Sequence, residues 1–184
     1  IIRNGLWESQ NDSSKNLSQD VFDRYEKLSK NNVGVIVSEL ISLYSHDRFS
    51  DFTDYINAPS FIRDFKEVTG IAHENNTPIL AQIGFVNCNV NGKQMMEVND
   101  LTLEDIRTIQ ADYIVGAKKI MVAGFDGIEL CIGNDFYLSR VMNPFENTRS
   151  DNYGGNTYNR VRMVLEIIKL IKKTTGLHVH CKVN

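Results

Sequence analysis

The chain has 184 residues, of which 42% are hydrophobic and 23% charged, and its formal net charge is −3. This is the composition of an ordinary globular protein, and it lacks the strongly basic character of proteins that bind nucleic acid. No apolar run reaches the roughly 20 residues of a membrane span, and no signal peptide is visible. The three cysteines, Cys88, Cys131 and Cys181, are odd in number and lack C-x-x-C spacing. They favour a reducing, cytoplasmic location over a disulfide framework or a zinc site.

Predicted strands and helices alternate along the chain. The predicted strands cover residues 1–8, 33–38, 78–83, 127–131 and 178–183. The predicted helices cover residues 18–30, 59–74, 102–122 and 158–175, and long loops cover residues 40–57, 85–100 and 132–157. Ser18 and Thr102 are predicted N-caps, and Asp105 makes a near capping box with Thr102. The inward positions of the last helix are predicted to be Val161, Val164, Leu165, Ile168 and Ile171.

Alternation of this kind predicts a parallel sheet with right-handed crossovers. Two architectures fit the order of elements: a complete five-stranded doubly wound domain, and the first five strands and four helices of a TIM (β/α)₈ barrel. No G-x-G-x-x-G or P-loop follows the first strand, which counts against a nucleotide-binding doubly wound domain. A full barrel needs about 250 residues. Because the chain starts at Ile1 and ends in an apparent strand, we expect it to be part of a longer protein.

One segment, residues 124–160, carries a long specific pattern: Gly124, Phe125, Asp126, Gly127, Glu129, Asn134, Leu138, Pro144, Asn147, Arg149, Asp151, Tyr153, Gly154, Gly155, Asn159 and Arg160. It resembles the fourth strand and following loop of the Old Yellow Enzyme family, the FMN-dependent NADH:flavin oxidoreductases and ene-reductases. The resemblance favours the incomplete barrel and implies that residues 1–184 are the N-terminal part of a single FMN-binding (β/α)₈ domain. It also implies that the loops binding the FMN phosphate, which follow the family's last two strands, lie outside this chain.

Two polar residues in apolar strands are candidates for cofactor binding. Gln82 needs an amide partner, which a loop backbone could supply, and Lys182 needs a counter-charge, for which Glu39 and Glu129 are candidates. The resemblance implies instead that Gln82 bonds the flavin pyrimidine ring. It also implies that Lys182 lies beside flavin N1 and O2 and stabilises negative charge on the reduced ring.

The candidate catalytic residues are Asn134 and Cys131. In the family, a His stands at the position of Cys131, a His or Asn at Asn134, and a proton-donating Tyr at Phe136. Cys131 is a weak donor, and by itself it is typical of a small buried hydrophobe. Phe136 has no proton to give, and the neighbouring Tyr137 is expected to point elsewhere.

Two further positions depart from the family: Leu6, where many members have Thr or Cys, and Phe85, where many have His. The resemblance implies hydride transfer from NAD(P)H through FMN to an electron-poor small-molecule acceptor. The shared departures motivate the alternative of a degenerate, non-catalytic barrel that serves as a binding or structural module. We expect no metal, nucleic-acid or membrane partner, and homo-oligomerisation is left open.

Overall fold

The structure is a computed structural model that describes residues 2–3, 17–45, 47, 55–93 and 96–183. Its centre is a five-stranded parallel sheet. The strands are β1 (Ile2–Arg3), β2 (Val35–Ser42), β3 (Ile79–Gly84), β4 (Gly127–Cys131) and β5 (His178–Lys182). The helices are α1 (Gln19–Lys30), α2 (Phe61–Glu74), α3 (Leu103–Val122), α4 (Tyr137–Met142) and α5 (Thr157–Thr175), and a 3₁₀ turn covers Val98–Asp100.

The strand order distinguishes the two predicted architectures. The five strands lie side by side in chain order, β1-β2-β3-β4-β5. In a doubly wound sheet the order of the strands reverses at a switch point, whereas in a barrel each new strand is added to the same edge. The order therefore confirms an incomplete barrel.

The two faces of the sheet differ in chemistry. Strand residues that face the helices are 0–1% exposed and join the apolar core: Ile79, Ala81, Ile83, Ile128 and Leu130. Side chains alternate along a strand, so the residues between these project to the opposite side, here called the inner face. On β3, β4 and β5 the inner face carries Gln82, Glu129, Cys131, His180 and Lys182.

Some predicted boundaries were wrong. β2 continues to Ser42 through a register irregularity between Val37 and Leu40, so part of the predicted loop is strand. The six-residue helix α4 lies inside the segment predicted as loop. On α5 the buried stripe consists of Met163, Val164, Ile167 and Ile171. Leu165, predicted to face inward, is 48% exposed, because it lies on the far side of that stripe at 3.6 residues per turn.

Among the described helices, none combines the length and apolar character that a membrane crossing requires.

Helix α3 begins with the predicted capping box, in which Asp105 N donates to Thr102 Oγ1 at 3.1 Å and Thr102 N donates to the Asp105 carboxylate at 2.9 Å. The same carboxylate, 1% exposed, accepts from Lys93 Nζ and from Asn91 Nδ2, both at 2.8 Å. It therefore ties the loop after β3 to the start of α3.

Replacing Asp105 with asparagine is expected to lower the free energy of unfolding by about 1.5–3 kcal/mol, the usual contribution of hydrogen bonds to a charged group. Urea denaturation would measure the loss. Asp100→Asn is the matched control, since that side chain is exposed and makes no hydrogen bond to a described residue. Equal effects of the two substitutions would contradict the role given to Asp105.

The same carboxylate makes stability pH-dependent. The Lys93 ammonium and then the Thr102 hydroxyl hold the pKa of Asp105 well below its usual range. A group whose pKa is depressed by folding stabilises the folded state above its unfolded pKa of about 3.9 and loses that contribution as the pH falls further. The difference in stability between the wild type and Asp105→Asn should accordingly shrink below about pH 4.

Candidate functional site

The predicted cofactor and catalytic residues converge at the carboxyl ends of β3, β4 and β5. In the strand register, Gln82 lies opposite Glu129, and Cys131 lies opposite Lys182. Cys131 and Lys182 are the last residues of their strands. The structure therefore brings Gln82, Cys131 and Lys182 onto one patch of the inner face. In a βα barrel this end of the sheet is where ligands are bound.

Gln82 is 5% exposed, and its Nε2 donates to Glu129 Oε1 at 2.7 Å. Its amide partner is therefore a carboxylate on the next strand rather than a loop backbone. Glu129 is 2% exposed, and its second oxygen, Oε2, lies 2.8 Å from His180 Nδ1. Gln82, Glu129 and His180 form one row across three strands, here called the inner-face row.

Lys182 does not form the predicted ion pair with Glu129, whose oxygens are engaged within the inner-face row. Glu39 pairs with Arg24 of α1. Within the described part of the chain, Lys182 makes no ion pair. Its ammonium is thus a partly exposed positive charge on the inner face, next to Cys131.

Cys131 is 2% exposed. Burial raises the pKa of its thiol to about 12, and the nearby Lys182 charge offsets only part of that effect. The thiol is therefore protonated near neutral pH, and the reactive form, the thiolate, is disfavoured. Cys131 behaves as a small buried residue with a weak S–H donor.

The turn after β4 places Asn134 and Phe136 differently. Asn134 is exposed, and it and Asp135 have φ angles of 53° and 61°, in the left-handed region that residues other than glycine adopt rarely. Phe136 lies against Gly84, where an added Cβ would be 2.8 Å from the Phe136 ring and 3.0 Å from Cys131 Cβ. The lack of a side chain at Gly84 therefore leaves the space that the Phe136 ring occupies.

The neighbouring aromatic residues face away from this patch. Tyr137 is fully buried and donates to the Met96 carbonyl oxygen at 3.1 Å, so it does point elsewhere. Phe85 is 1% exposed and stacks on Tyr137 at a centroid distance of 5.1 Å. Leu6 lies outside the described residues.

The loop between α4 and α5 is held by Arg149. Its guanidinium binds the Asp151 carboxylate and also donates to the carbonyl oxygens of Val98 at 3.0 Å and Leu101 at 2.6 Å. These contacts join the loop to the segment before α3, which is a structural role.

Sequence reasoning missed two members of the inner-face row. Glu129 entered as a position of the family-like pattern and as a counter-charge for Lys182, and His180 was not singled out. A signal was available, because Gln82, Glu129 and His180 each stand two residues before the last inner-facing position of their strands. Matching these positions across the strands predicts a common layer.

The patch has the donors and acceptors that a flavin ring would use. Gln82 Oε1 has no hydrogen-bond partner within the described residues, and neither does the Lys182 ammonium. One is an acceptor for a ring N–H, and the other a cation for a ring that gains negative charge. Both fit the flavin contacts that the family resemblance implies. Among the described residues, no group of three or more His, Cys, Asp or Glu side chains could hold a metal ion.

The chain is similar in sequence to known oxidoreductases. An NADH:flavin oxidoreductase of Gibberella zeae is 44% identical over 71 residues, which cover 39% of this chain and 17% of that protein. An NADH oxidase of Thermoanaerobacter brockii is 27% identical over 181 residues, covering 87% of this chain and 27% of that protein. The chain thus spans well under half the length of these relatives.

The fold has close counterparts among solved structures. An Old Yellow Enzyme homologue from Zymomonas mobilis superposes with a TM-score of 0.85 and 20% identity, covering 100% of this chain and 58% of that one. At this identity the likeness concerns the fold. The family model of the NADH:flavin oxidoreductase / NADH oxidase family matches residues 82–183, more than half of the sequence. The chain therefore belongs to the NADH:flavin oxidoreductase / NADH oxidase family, to which the Old Yellow Enzymes are related in fold.

Proposed function

We propose that the chain is the N-terminal part of an FMN-dependent barrel that transfers hydride from NAD(P)H to an electron-poor small-molecule acceptor. The observation that supports this best is that two groups on the inner face, the Gln82 amide oxygen and the Lys182 ammonium, both lack a hydrogen-bond partner within the described residues. Gln82 projects from β3 and Lys182 from the end of β5, with β4 between them, and both lie on the inner face. Family membership supplies the flavin as the ring that these groups would hold.

Each residue has a defined task in this proposal. Gln82 accepts a hydrogen bond from the flavin pyrimidine through Oε1. Lys182 lies where it can stabilise negative charge by electrostatic attraction in a partly water-excluded site. Bound FMN would supply the hydride chemistry. Asn134, exposed at the end of β4, donates a hydrogen bond to the acceptor substrate, and Cys131 adds a weaker S–H donor.

The patch offers little for proton delivery. Phe136 has no ionisable proton, and the Cys131 thiol is buried with its pKa raised to about 12. We therefore propose that the protein favours acceptors that need no positioned acid, such as oxygen and quinones, over enones. The same observation favours the second candidate function, a non-catalytic barrel that binds a ligand without turning it over.

We further propose a cytoplasmic location. Cys88, Cys131 and Cys181 are all unpaired thiols, and free thiols are typical of reducing compartments. The expected partners are small molecules, and homo-oligomerisation is left to measurement.

The test is the flavin content of the full-length purified protein, followed by anaerobic reduction with NADH or NADPH. We expect flavin absorbance that bleaches on addition of one of the two. Lys182→Met is expected to weaken FMN binding at least about tenfold, since contacts of charged groups contribute roughly 1.5–3 kcal/mol. Lys169→Met, on the exposed side of α5, is the control.

The outcomes separate the two candidate functions. Flavin that binds but is not reduced by either nicotinamide would favour the non-catalytic barrel. A protein that neither contains nor takes up FMN would contradict the flavin proposal altogether.

A further inference from the structure

We infer that Glu129 is a positioning residue that holds the Gln82 amide with its carbonyl oxygen toward the ligand, and that the site thereby selects a ring presenting an N–H donor. The inference rests on the proposed function and concerns the same patch of the inner face. It gives a role to the inner-face row of Gln82, Glu129 and His180.

Two members of the row are buried and in close contact, whereas His180 is exposed. Gln82 and Glu129 are 5% and 2% exposed, and the contact between Nε2 and Oε1 is 2.7 Å. The other Glu129 oxygen is engaged at 2.8 Å by His180 Nδ1. Since a buried carboxylate requires hydrogen-bond partners, Glu129 is held by one donor from each neighbouring strand.

The chemistry of Glu129 decides which way the amide points. A carboxylate only accepts hydrogen bonds, whereas a glutamine side chain has an NH₂ donor at one end and a carbonyl acceptor at the other. Facing Glu129, the amide must turn its nitrogen to the carboxylate. The opposite orientation would set two acceptor oxygens 2.7 Å apart, without a proton between them.

The other end of the amide remains available. Among the described residues, the Tyr113 hydroxyl is the fully buried side-chain polar atom that lacks a hydrogen-bond partner. Gln82 Oε1 also lacks a partner but is not fully buried, so a ligand on the inner face can reach it. A ligand in this patch therefore meets a fixed acceptor and not an amide that can rotate to suit it.

A fixed acceptor discriminates between otherwise similar rings. The oxidised flavin ring carries one N–H, at N3 between two carbonyl groups, and methylation at N3 removes it. An amide free to rotate could offer its NH₂ group to a neighbouring ring carbonyl instead. An amide locked by Glu129 cannot, and so it rejects the methylated ring.

The experiment compares the binding of FMN and N3-methyl-FMN to the full-length apoprotein, followed by quenching of flavin fluorescence. We expect the wild type to bind FMN at least about tenfold more tightly, the usual effect of leaving a buried acceptor unpaired. In Glu129→Gln, whose new amide can face Gln82 with either end, the ratio should fall to about threefold or less.

Glu166→Gln is a matched control. Glu166 accepts a hydrogen bond from Gln110 Nε2 at 2.7 Å, between α3 and α5 and away from the inner face. This substitution removes the same kind of glutamine–carboxylate contact and should leave the FMN ratio unchanged. A wild-type ratio retained in Glu129→Gln would overturn the inference while leaving the flavin proposal intact. A wild type that binds neither flavin would overturn both.

A measurement on the unaltered protein covers the case in which Glu129→Gln does not fold. In wild-type protein labelled with ¹⁵N-glutamine, the side-chain NH₂ of Gln82 should exchange with solvent at least about tenfold more slowly than that of Gln19. Gln19 is exposed on α1, where it donates to Asp23. Equal exchange rates for the two amides would show that Glu129 does not hold Gln82.

Discussion

Replacing Cys131 with histidine and Phe136 with tyrosine in the same full-length protein is expected to raise the rate of enone reduction by about 10²–10⁴-fold, the usual contribution of a positioned acid. Reduction of the bound flavin by NAD(P)H should stay nearly unchanged, because that half-reaction needs only a docked nicotinamide. Stopped-flow absorbance under anaerobic conditions measures the two half-reactions separately.

The physical reason lies at the end of β4. The Cys131 thiol is a weak donor whose pKa is raised to about 12 by burial, and Phe136 has no proton. The Phe136 ring lies directly over Gly84, beside Cys131. A hydroxyl added to that ring would provide an ionisable proton, and an imidazole at position 131 would provide the strong donor that polarises a substrate carbonyl.

Two further variants test this prediction, one at the site and one at the surface. Phe136→Tyr alone adds one oxygen without a large change of volume, so it tests proton delivery even if Cys131→His disturbs the buried site. Phe145→Tyr makes the same chemical change at a side chain that is 91% exposed and should have no effect. If the wild type already reduces enones well and the double variant adds nothing, the proton comes from elsewhere. Water would then be the first proton source to test, since the Tyr137 hydroxyl donates its hydrogen bond to the Met96 carbonyl oxygen.

Replacing Gly154 with alanine should lower the free energy of unfolding by about 2–3 kcal/mol, as overpacking in a close-fitting site does. An added Cβ would lie 2.3 Å from the Arg149 carbonyl oxygen and 2.4 Å from Arg149 Cβ. Backbone atoms cannot rotate out of the way, so the loop must move. Arg149 would then lose its contacts to Val98 and Leu101. Urea denaturation followed by circular dichroism measures the change.

Gly70→Ala is the control for this prediction. Gly70 lies in α2, and an added Cβ there would meet nothing within 4 Å. Alanine is favoured over glycine in a helix by roughly 0.5–1 kcal/mol, so this substitution should stabilise the protein. Opposite signs for the two glycines are the expected result, and a neutral Gly154→Ala would contradict the close packing of the loop.

Local pattern was sufficient for the elements with strong signals. The capping box of Thr102 and Asp105 was predicted because it depends on residues three apart, and the structure contains both of its hydrogen bonds. The short helix α4 was missed because six residues carry too little periodicity to be distinguished from a loop. The end of β2 was misplaced because its irregular register interrupts the alternation by which a strand is recognised.

The partners of the polar site residues were beyond local pattern. Lys182 was expected to find a counter-charge on Glu39 or Glu129, and Gln82 was expected to find either a backbone group or a flavin. The structure instead pairs Gln82 with Glu129, 47 residues further along the chain, and Glu129 with His180, a further 51 residues on. Hydrogen-bond partners on different strands depend on the strand register, and a short stretch of sequence does not specify that register.

The sequence by itself determined the alternation of strands and helices and the kind of side chain at each strand end, including Cys131 at the end of β4 and Phe136 just after it. These properties follow from residue identity and spacing along one stretch of chain. Only the tertiary structure decided that the five strands lie side by side in chain order, that the Phe136 ring covers Gly84, and that Glu129 orients Gln82. Each of these depends on atoms brought together by parallel pairing of distant strands, since a shift of register by one residue would move every side chain to the other face.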